Sequence, residues 1–113
     1  MNFEMYTENG IEIVVPLVRR LDASVALIFK QQVLSVIEQD KKNVLLLDFS
    51  HVDFIDSSCL GALVSILKTL NGRGELALCS LNGNIQSMFK LTRMDRIFAI
   101  GADREAALKM LTH

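Results

Sequence analysis

The stretch that decides the fold is Val44-Leu45-Leu46-Leu47-Asp48-Phe49, which a loop over residues 50–56 joins to Ser57-Ser58-Cys59-Leu60-Gly61. The first six residues are apolar apart from Asp48 and do not alternate with polar ones, which is typical of a parallel strand buried on both faces. From Leu60 to Leu70, apolar residues recur at spacings of three and four, which predicts a helix. This segment therefore predicts a strand, a loop and a helix at the centre of an α/β fold.

The residues before this segment predict a hairpin and a helix. Phe3–Thr7 and Ile11–Leu17 are both strand-like, and Glu8-Asn9-Gly10 between them supplies the positive-φ residues of a tight turn. Asp22 then stands as a candidate cap before an apolar stripe at helical spacing, which predicts a helix over 23–39. A polar turn at Asp40–Asn43 leads into the central strand.

The residues after it continue the alternation of strands and helices. The predicted elements are a strand at Glu75–Cys79 after Gly72 and Gly74, a short helix at Ile85–Leu91, a strand at Ile97–Ile100, and a helix at Arg104–Leu111 capped by Asp103. The predicted order is β-β-α-β-α-β-α-β-α. We therefore expect an α/β fold in one domain over residues 1–113, with a mixed, mostly parallel sheet of about five strands, an opening antiparallel hairpin and four helices.

Composition excludes several classes of partner. Half of the 113 residues are apolar and 22% are charged, which is enough apolar content for a packed core. The formal charge is −1 and Lys and Arg form no long run, so direct binding to nucleic acid is not expected. Neither a membrane-spanning stretch nor a signal peptide is visible, so we expect a cytoplasmic protein without membrane insertion.

Metal-ligating side chains are scarce. Cys59 and Cys79 do not have the close spacing of a zinc or dithiol motif, and the histidines are His51 and His113, the latter at the chain end. We therefore expect neither a metal site nor a cofactor.

The segment from Asp48 to Gly61 resembles the signature of the STAS domain family, which includes anti-sigma factor antagonists and sulfate-transporter tails. The match is to the family's Asp-Phe-Ser, hydrophobic, Phe-Ile/Met-Asp-Ser-Ser/Thr-Gly-Leu-Gly pattern. Leu21-Asp22 and residues 85–98 also resemble parts of the family, so the resemblance covers essentially the whole chain. Cys59 departs from the pattern because the family usually has glycine there, and Arg19 and Arg93 also stand where relatives often have glycine.

The resemblance implies an anti-sigma factor antagonist without catalytic activity, acting in signal transduction and transcription regulation. Ser57 corresponds to the residue that a serine kinase, itself an anti-sigma factor, phosphorylates in single-domain members. The unphosphorylated antagonist binds that kinase and the phosphorylated form is released, while a phosphatase reverses the modification. Asp22 corresponds to the family's aspartate near the first helix. A monomer or weak dimer is expected.

The position of Ser57 suits this role physically. It precedes the apolar stripe, where the unpaired N–H groups and the dipole of a helix tolerate a phosphate. A phosphate would add about −1.5 to −2 charges beside Asp53 and Asp56, which a tightly docked partner would meet as bulk and repulsion. The candidate partner-binding residues are Asp22, Asp53, Asp56, Ser58, Cys59 and Leu60.

Other interpretations of single residues stay open at this point. Ser57 and Ser58 can equally be simple N-cap residues. Arg19 and Arg20 could hold a phosphate on Ser57 or an acidic patch of the partner, or could be a solvated pair. Cys59 at a helix N-terminus could have a lowered thiol pKa and be reactive.

Two other functions stay open as well. The chain could be a constitutive assembly subunit that docks on another protein, such as a transporter ATPase, without kinase control. It could also be a receiver domain phosphorylated on Asp48, although the first strand lacks the acidic pair that a receiver needs.

Overall fold

The structure, a computed structural model, describes residues 2–40 and 44–111. Its strands are β1 (Phe3–Glu8), β2 (Ile11–Pro16), β3 (Arg20–Leu21), β4 (Val44–Asp48), β5 (Phe54–Ile55), β6 (Glu75–Cys79) and β7 (Ala99–Gly101). Its helices are α1 (Ala23–Asp40), α2 (Ser57–Leu70), α3 (Gly83–Leu91) and α4 (Arg104–Leu111), with a 3₁₀ turn at Met94–Arg96. The predicted turn at Asp40–Asn43 lies outside the described residues, apart from the backbone of Asp40. His113 lies outside them as well.

The main sheet confirms the predicted topology. Its strand order is β1-β2-β4-β6-β7, with β1 antiparallel to β2 and the other neighbours parallel. The hairpin turn has positive φ at both Asn9 (53°) and Gly10 (78°), which is the backbone of a two-residue turn matched to the twist of the strands. The mixed, mostly parallel sheet and the opening hairpin are therefore as the sequence predicts.

Helices cover both faces of this sheet. α1, α2 and α3 pack on one face, where Phe29, Leu47 and Leu63 are fully buried. α4 packs on the other face through Ala107 and Leu111, against residues such as Leu46. β4 is covered on both faces and is therefore the centre of the core. Burial of each leucine or phenylalanine side chain contributes roughly 2 kcal/mol to stability.

Gly101 allows α4 to approach the sheet closely. A Cβ at this position would lie 2.6 Å from the backbone nitrogen of Ala107, which is closer than any real contact. Glycine therefore sets the distance between β7 and α4. The carboxylate of Asp103 accepts a hydrogen bond from the Ala106 N–H at 2.8 Å, which confirms the predicted cap of α4.

Two parts of the fold differ from the sequence prediction. β3 and β5 form a separate two-stranded parallel sheet that the prediction treats as loop, because two residues are too few to show a period. The last strand is Ala99–Gly101 rather than Ile97–Ile100. The left-handed backbone of Arg93 (φ 60°) starts the 3₁₀ turn there, and Ile97 follows that turn instead of joining the strand.

Across residues 2–40 and 44–111, we find no helix with the length and apolar character needed to cross a bilayer.

Candidate functional site

The site is built around Asp56, which connects the starts of two helices. Asp56 has extended backbone (φ −120°, ψ −175°) and is the N-cap of α2. Its Oδ1 accepts hydrogen bonds from the N–H groups of Ser58 (2.9 Å) and Cys59 (3.2 Å). Its Oδ2 accepts one from the N–H of Ala23, the first residue of α1, at 3.0 Å. One carboxylate thus satisfies free donors at both helix N-termini. We call this arrangement the Asp56 junction.

Ser57 is the first residue of α2, and its side chain is exposed. The interpretation of Ser57 or Ser58 as the N-cap is wrong, because the Asp56 carboxylate makes the capping hydrogen bonds. The Ser57 hydroxyl makes no hydrogen bond to another of the described residues. It is therefore available at the surface without loss of the cap.

Asp22 caps α1, as the sequence predicts. Its Oδ1 accepts hydrogen bonds from the backbone N–H of Ser24 (3.0 Å) and from the Ser24 hydroxyl. The Ser24 hydrogen bonds lower the pKa of Asp22, and Arg20, 3.6 Å from its other oxygen, contributes in the same direction. Asp22 is therefore ionised at neutral pH next to Ala23, which bonds to the Asp56 junction.

The small β3–β5 sheet ties the loop before α2 to the residues before α1. The backbone oxygen of Arg19 accepts from the N–H groups of Asp53 (2.7 Å) and Phe54 (3.1 Å), and the Arg19 guanidinium donates to the Asp53 carboxylate at 2.8 Å. Arg20 stacks over the Phe54 ring at 4.2 Å. The Asn82 amide donates to the backbone oxygen of Asp53 at 2.9 Å. Both arginines contact neighbouring side chains but stay largely exposed, at 86% for Arg19 and 62% for Arg20, so the interpretation as a solvated pair remains open.

Cys59 and Leu60 require a correction. The sequence proposes both as partner-binding residues, but Cys59 is 0% exposed and Leu60 is 5% exposed. Their positions in the first turn of α2 face the core, so these side chains are not presented to a partner. Burial, with a smaller effect of Asp56, raises the pKa of the Cys59 thiol to about 12. A protonated, inaccessible thiol does not fit the redox or nucleophilic interpretation either.

Apolar side chains that the sequence analysis did not propose are exposed on α1 and in the loop before Ser57. Leu27 is 59% exposed, Ile28 is 44% exposed, and Phe54 is 39% exposed. A shallow groove of about 270 Å³ lies between α1 and α2 and is lined by Leu27 and by small residues that include Ser58 and Gly61. The sequence carried a signal for the α1 pair, because Leu27 and Ile28 lie off the buried stripe that Phe29 belongs to.

Asp48 lies at the end of β4 and is 3% exposed. The Arg104 guanidinium donates to its Oδ2 at 2.8 and 3.1 Å, and the Ser50 N–H donates to its Oδ1 at 2.9 Å. Burial by itself would raise the pKa of Asp48, but the hydrogen bonds from Arg104 and Ser50 outweigh it, and the pKa is lowered. An enclosed, ion-paired aspartate does not fit the receiver interpretation. Within the described ranges, we find no cluster of His, Cys, Asp or Glu able to hold a metal ion.

Comparison with known proteins places the chain in a family. The STAS domain model matches residues 2–107. A Thermotoga maritima protein whose assigned role is anti-sigma factor antagonist is 35% identical over 83 residues, which cover 73% of this chain and 74% of that protein. The crystal structure of a Thermotoga maritima protein that is named for a proposed role as an anti-sigma factor antagonist has a TM-score of 0.88 at 30% identity, covering 96% of this chain and 93% of that one.

A more distant structure shares the fold. The phosphorylated form of the Bacillus cell fate determinant SpoIIAA has a TM-score of 0.71 at 16% identity, covering 98% of this chain and 100% of that one. The match over residues 2–107 and the relative at 35% identity show that the chain belongs to the STAS domain family.

Proposed function

We propose that the chain is an anti-sigma factor antagonist controlled by phosphorylation of Ser57. It binds a serine kinase that is also an anti-sigma factor when Ser57 is unphosphorylated, and it releases that partner when Ser57 is phosphorylated. The observation that carries the proposal is the exposed Ser57 hydroxyl, which directly follows the cap of α2. The chain itself has no catalytic role in this scheme.

The Asp56 junction supports a switch that acts without refolding. A phosphate on Ser57 lies at the N-terminus of α2, and the first N–H of α1 is joined to the same junction. The positive ends of helix dipoles offset part of the added charge. The capping hydrogen bonds of Asp56 do not involve the Ser57 side chain, so they persist after modification.

The charges near Ser57 explain why the partner would leave. Asp56 is partly exposed directly before Ser57, while the carboxylates of Asp53 and Asp22 are paired with Arg19 and Arg20. A partner that fits this surface before modification would meet about two further negative charges and the bulk of a phosphate. A coupling of about 3 kcal/mol would reduce affinity more than a hundredfold.

The surface that docks on the partner extends from Ser57 to α1 in this proposal. Leu27, Ile28 and Phe54 supply apolar area, and the small residues Gly61 and Ser58 leave the groove between α1 and α2 open. Cys59 and Leu60 support this surface from the core side and do not contact the partner. The relatives named as anti-sigma factor antagonists support the class of partner.

The test is phosphorylation by the cognate kinase with ATP. Mass spectrometry is expected to find phosphate on Ser57 of the wild-type chain and none on the Ser57→Ala variant. Ser58→Ala, the matched control, is expected to be phosphorylated like the wild type. A pull-down is expected to retain the kinase on Ser57→Ala and lose it on Ser57→Asp. If the kinase is retained equally on Ser57→Ala and Ser57→Asp, and Ser57 of the wild type stays unmodified, the proposal is wrong. That result would favour the constitutive assembly subunit.

A further inference from the structure

β1 is an edge strand whose outer backbone groups point away from the sheet. Phe3 lies opposite Pro16, which has no N–H to donate. The neighbouring pair, Asn2 and Leu17, is hydrogen-bonded, since the Leu17 N–H donates to the Asn2 oxygen at 2.9 Å. Hydrogen-bonded and non-hydrogen-bonded pairs alternate along an antiparallel ladder. Phe3, Met5 and Thr7 therefore direct their N–H and C=O groups away from β2, to the open edge.

The two faces of β1 differ in chemistry. On the α1 face, Met5 lines a cleft of about 220 Å³ together with Val33 and Val36 of α1. The Oε1 atom of Gln32 in this cleft is buried and accepts no hydrogen bond from the described residues. The opposite face of the strand carries exposed carboxylates.

Those carboxylates belong to Glu4 and Glu8, which lie on the same face because their positions differ by an even number. One face of the edge thus has an apolar cleft with a buried acceptor. The other face carries Glu4 and Glu8 on either side of Tyr6, whose ring lies 5.3 Å from the Arg104 guanidinium, a group that is itself paired with Asp48. An added strand of alternating apolar and basic residues would match both faces at once.

We propose that the free edge of β1 binds an extended segment of a partner protein by β-augmentation. The backbone of the segment pairs with Phe3, Met5 and Thr7, its apolar side chains enter the cleft beside Met5, and its basic side chains face Glu4 and Glu8. A side chain with an O–H group, such as tyrosine, would donate to Gln32 Oε1. This inference is independent of the proposed function, because it uses none of the residues of the Asp56 junction.

Charge favours a heterologous partner over a second copy. Antiparallel pairing of two copies of β1 would bring four carboxylates, from Glu4 and Glu8 of each copy, onto one face of the joint sheet. Like charges in close cross-strand positions are destabilising. The opposite edge of the sheet, β7, spans three residues against six in β1 and offers a shorter template.

The test uses a labelled peptide of sequence Lys-Val-Lys-Tyr-Lys-Val-Lys and a matched peptide with Glu in place of each Lys. Fluorescence anisotropy at low ionic strength is expected to detect the basic peptide and to give about tenfold weaker binding for the acidic one. Backbone amide NMR shifts are expected at Phe3–Glu8. Glu8→Gln should weaken binding about threefold, while Asp95→Asn, a matched charge removal beyond the other edge, should not.

Met5→Pro removes an outward N–H and is tolerated on an edge strand, so it should weaken binding about tenfold. Met5→Lys is the second variant if circular dichroism shows that the proline unfolds the chain. Undiminished binding in whichever variant is folded, shifts that avoid β1, or no preference for the basic peptide would overturn the proposal. Dimerisation of the wild type that Met5→Pro abolishes would also overturn it, because a second copy would then be the occupant.

Discussion

The Asp56 carboxylate accepts a hydrogen bond from the backbone N–H of Ala23, which lies 33 residues earlier in the chain, at 3.0 Å. Because the other carboxylate oxygen caps α2, the first turns of α1 and α2 are held in one frame. Ser57 follows that carboxylate directly. The position of the proposed phosphoacceptor is thus set by both helices.

The first prediction concerns the stability that this frame provides. Asp56→Ala removes acceptors for three N–H groups at two helix starts and should lower the free energy of unfolding by about 2 kcal/mol. Asp22→Ala removes the cap of α1 only and should cost about 1 kcal/mol. Urea denaturation measures both. An Asp56→Ala variant as stable as Asp22→Ala would contradict the double role.

The second prediction concerns negative charge at Ser57. Ser57→Asp should change the free energy of unfolding by no more than about 0.5 kcal/mol, since the position is exposed and an acidic group at a helix N-terminus is favourable. Ser57→Ala serves as the neutral control. A loss of several kcal/mol on Ser57→Asp in urea denaturation would mean that the modification acts by unfolding the chain.

The third prediction concerns the exposed apolar residues of α1. Leu27→Glu should leave stability within about 0.5 kcal/mol of wild type, because the side chain is 59% exposed. It should weaken binding to the proposed kinase partner about tenfold or more, as expected for a residue that is buried in the interface. Leu91→Glu, at the end of α3 and 86% exposed, is the matched control. Equal affinity of the two variants in calorimetry would remove Leu27 from the docking surface.

The fourth prediction concerns thiol reactivity. Burial, the largest cause in each case, raises the pKa values of Cys59 and Cys79 to about 12. A thiol reagent at about pH 8 should therefore modify neither cysteine in the folded chain, and both in denaturant. Fast labelling of Cys59 in the folded chain would restore the reactive interpretation.

The fifth prediction concerns the ion pair between Asp48 and Arg104. Arg104→Met leaves a buried carboxylate without its charged donor and should cost about 2 kcal/mol near neutral pH. Lys109→Met, which breaks an exposed pair with Glu105 on the same helix, should cost no more than about 0.5 kcal/mol. If urea denaturation shows that both variants lose the same free energy of unfolding, the pair of Asp48 and Arg104 contributes no more than an exposed ion pair.

The same pair gives a dependence on pH. Because the folded pKa of Asp48 lies below its unfolded value, its contribution to stability is present above the unfolded pKa of about 3.9 and is lost as pH falls through the folded pKa. In Arg104→Met, the guanidinium that lowers the pKa of Asp48 is gone while burial, which raises it, remains, so the loss of stability on acidification should be smaller than in wild type or absent. Denaturation midpoints of wild type and variant, compared between about pH 3 and pH 7, measure the difference.

The parts of the fold that the sequence predicts are those with a local signal. The unbroken apolar run of β4, the Asn9-Gly10 turn and the Asp103 cap each determine structure within a few residues, and each is found as predicted. β3 and β5 have two residues each and show no period, so their pairing depends on the helices around them.

The candidate site also has some contacts with a local sequence signal and others without one. The cap at Asp22 is local and could be predicted from its spacing to the helix. The bond from Ala23 to Asp56 and the pair of Arg104 with Asp48 join residues 33 and 56 positions apart, and they exist only once the sheet has formed. The burial of Cys59 could not be predicted, because a residue in the first turn of a helix can face either the core or solvent.

The two-stranded sheet of β3 and β5 has a consequence for hybrid proteins made from STAS domains. Its strands join residues 20–21 to residues 54–55, and the Arg19 carbonyl receives two further N–H groups of the same loop. A chimera that imports only residues 50–61 from a relative would separate the loop that carries the proposed phosphoacceptor from the strand with which it pairs. Exchanging residues 19–24 together with that loop transfers the whole unit, and we expect such paired grafts to carry kinase choice from one antagonist to another.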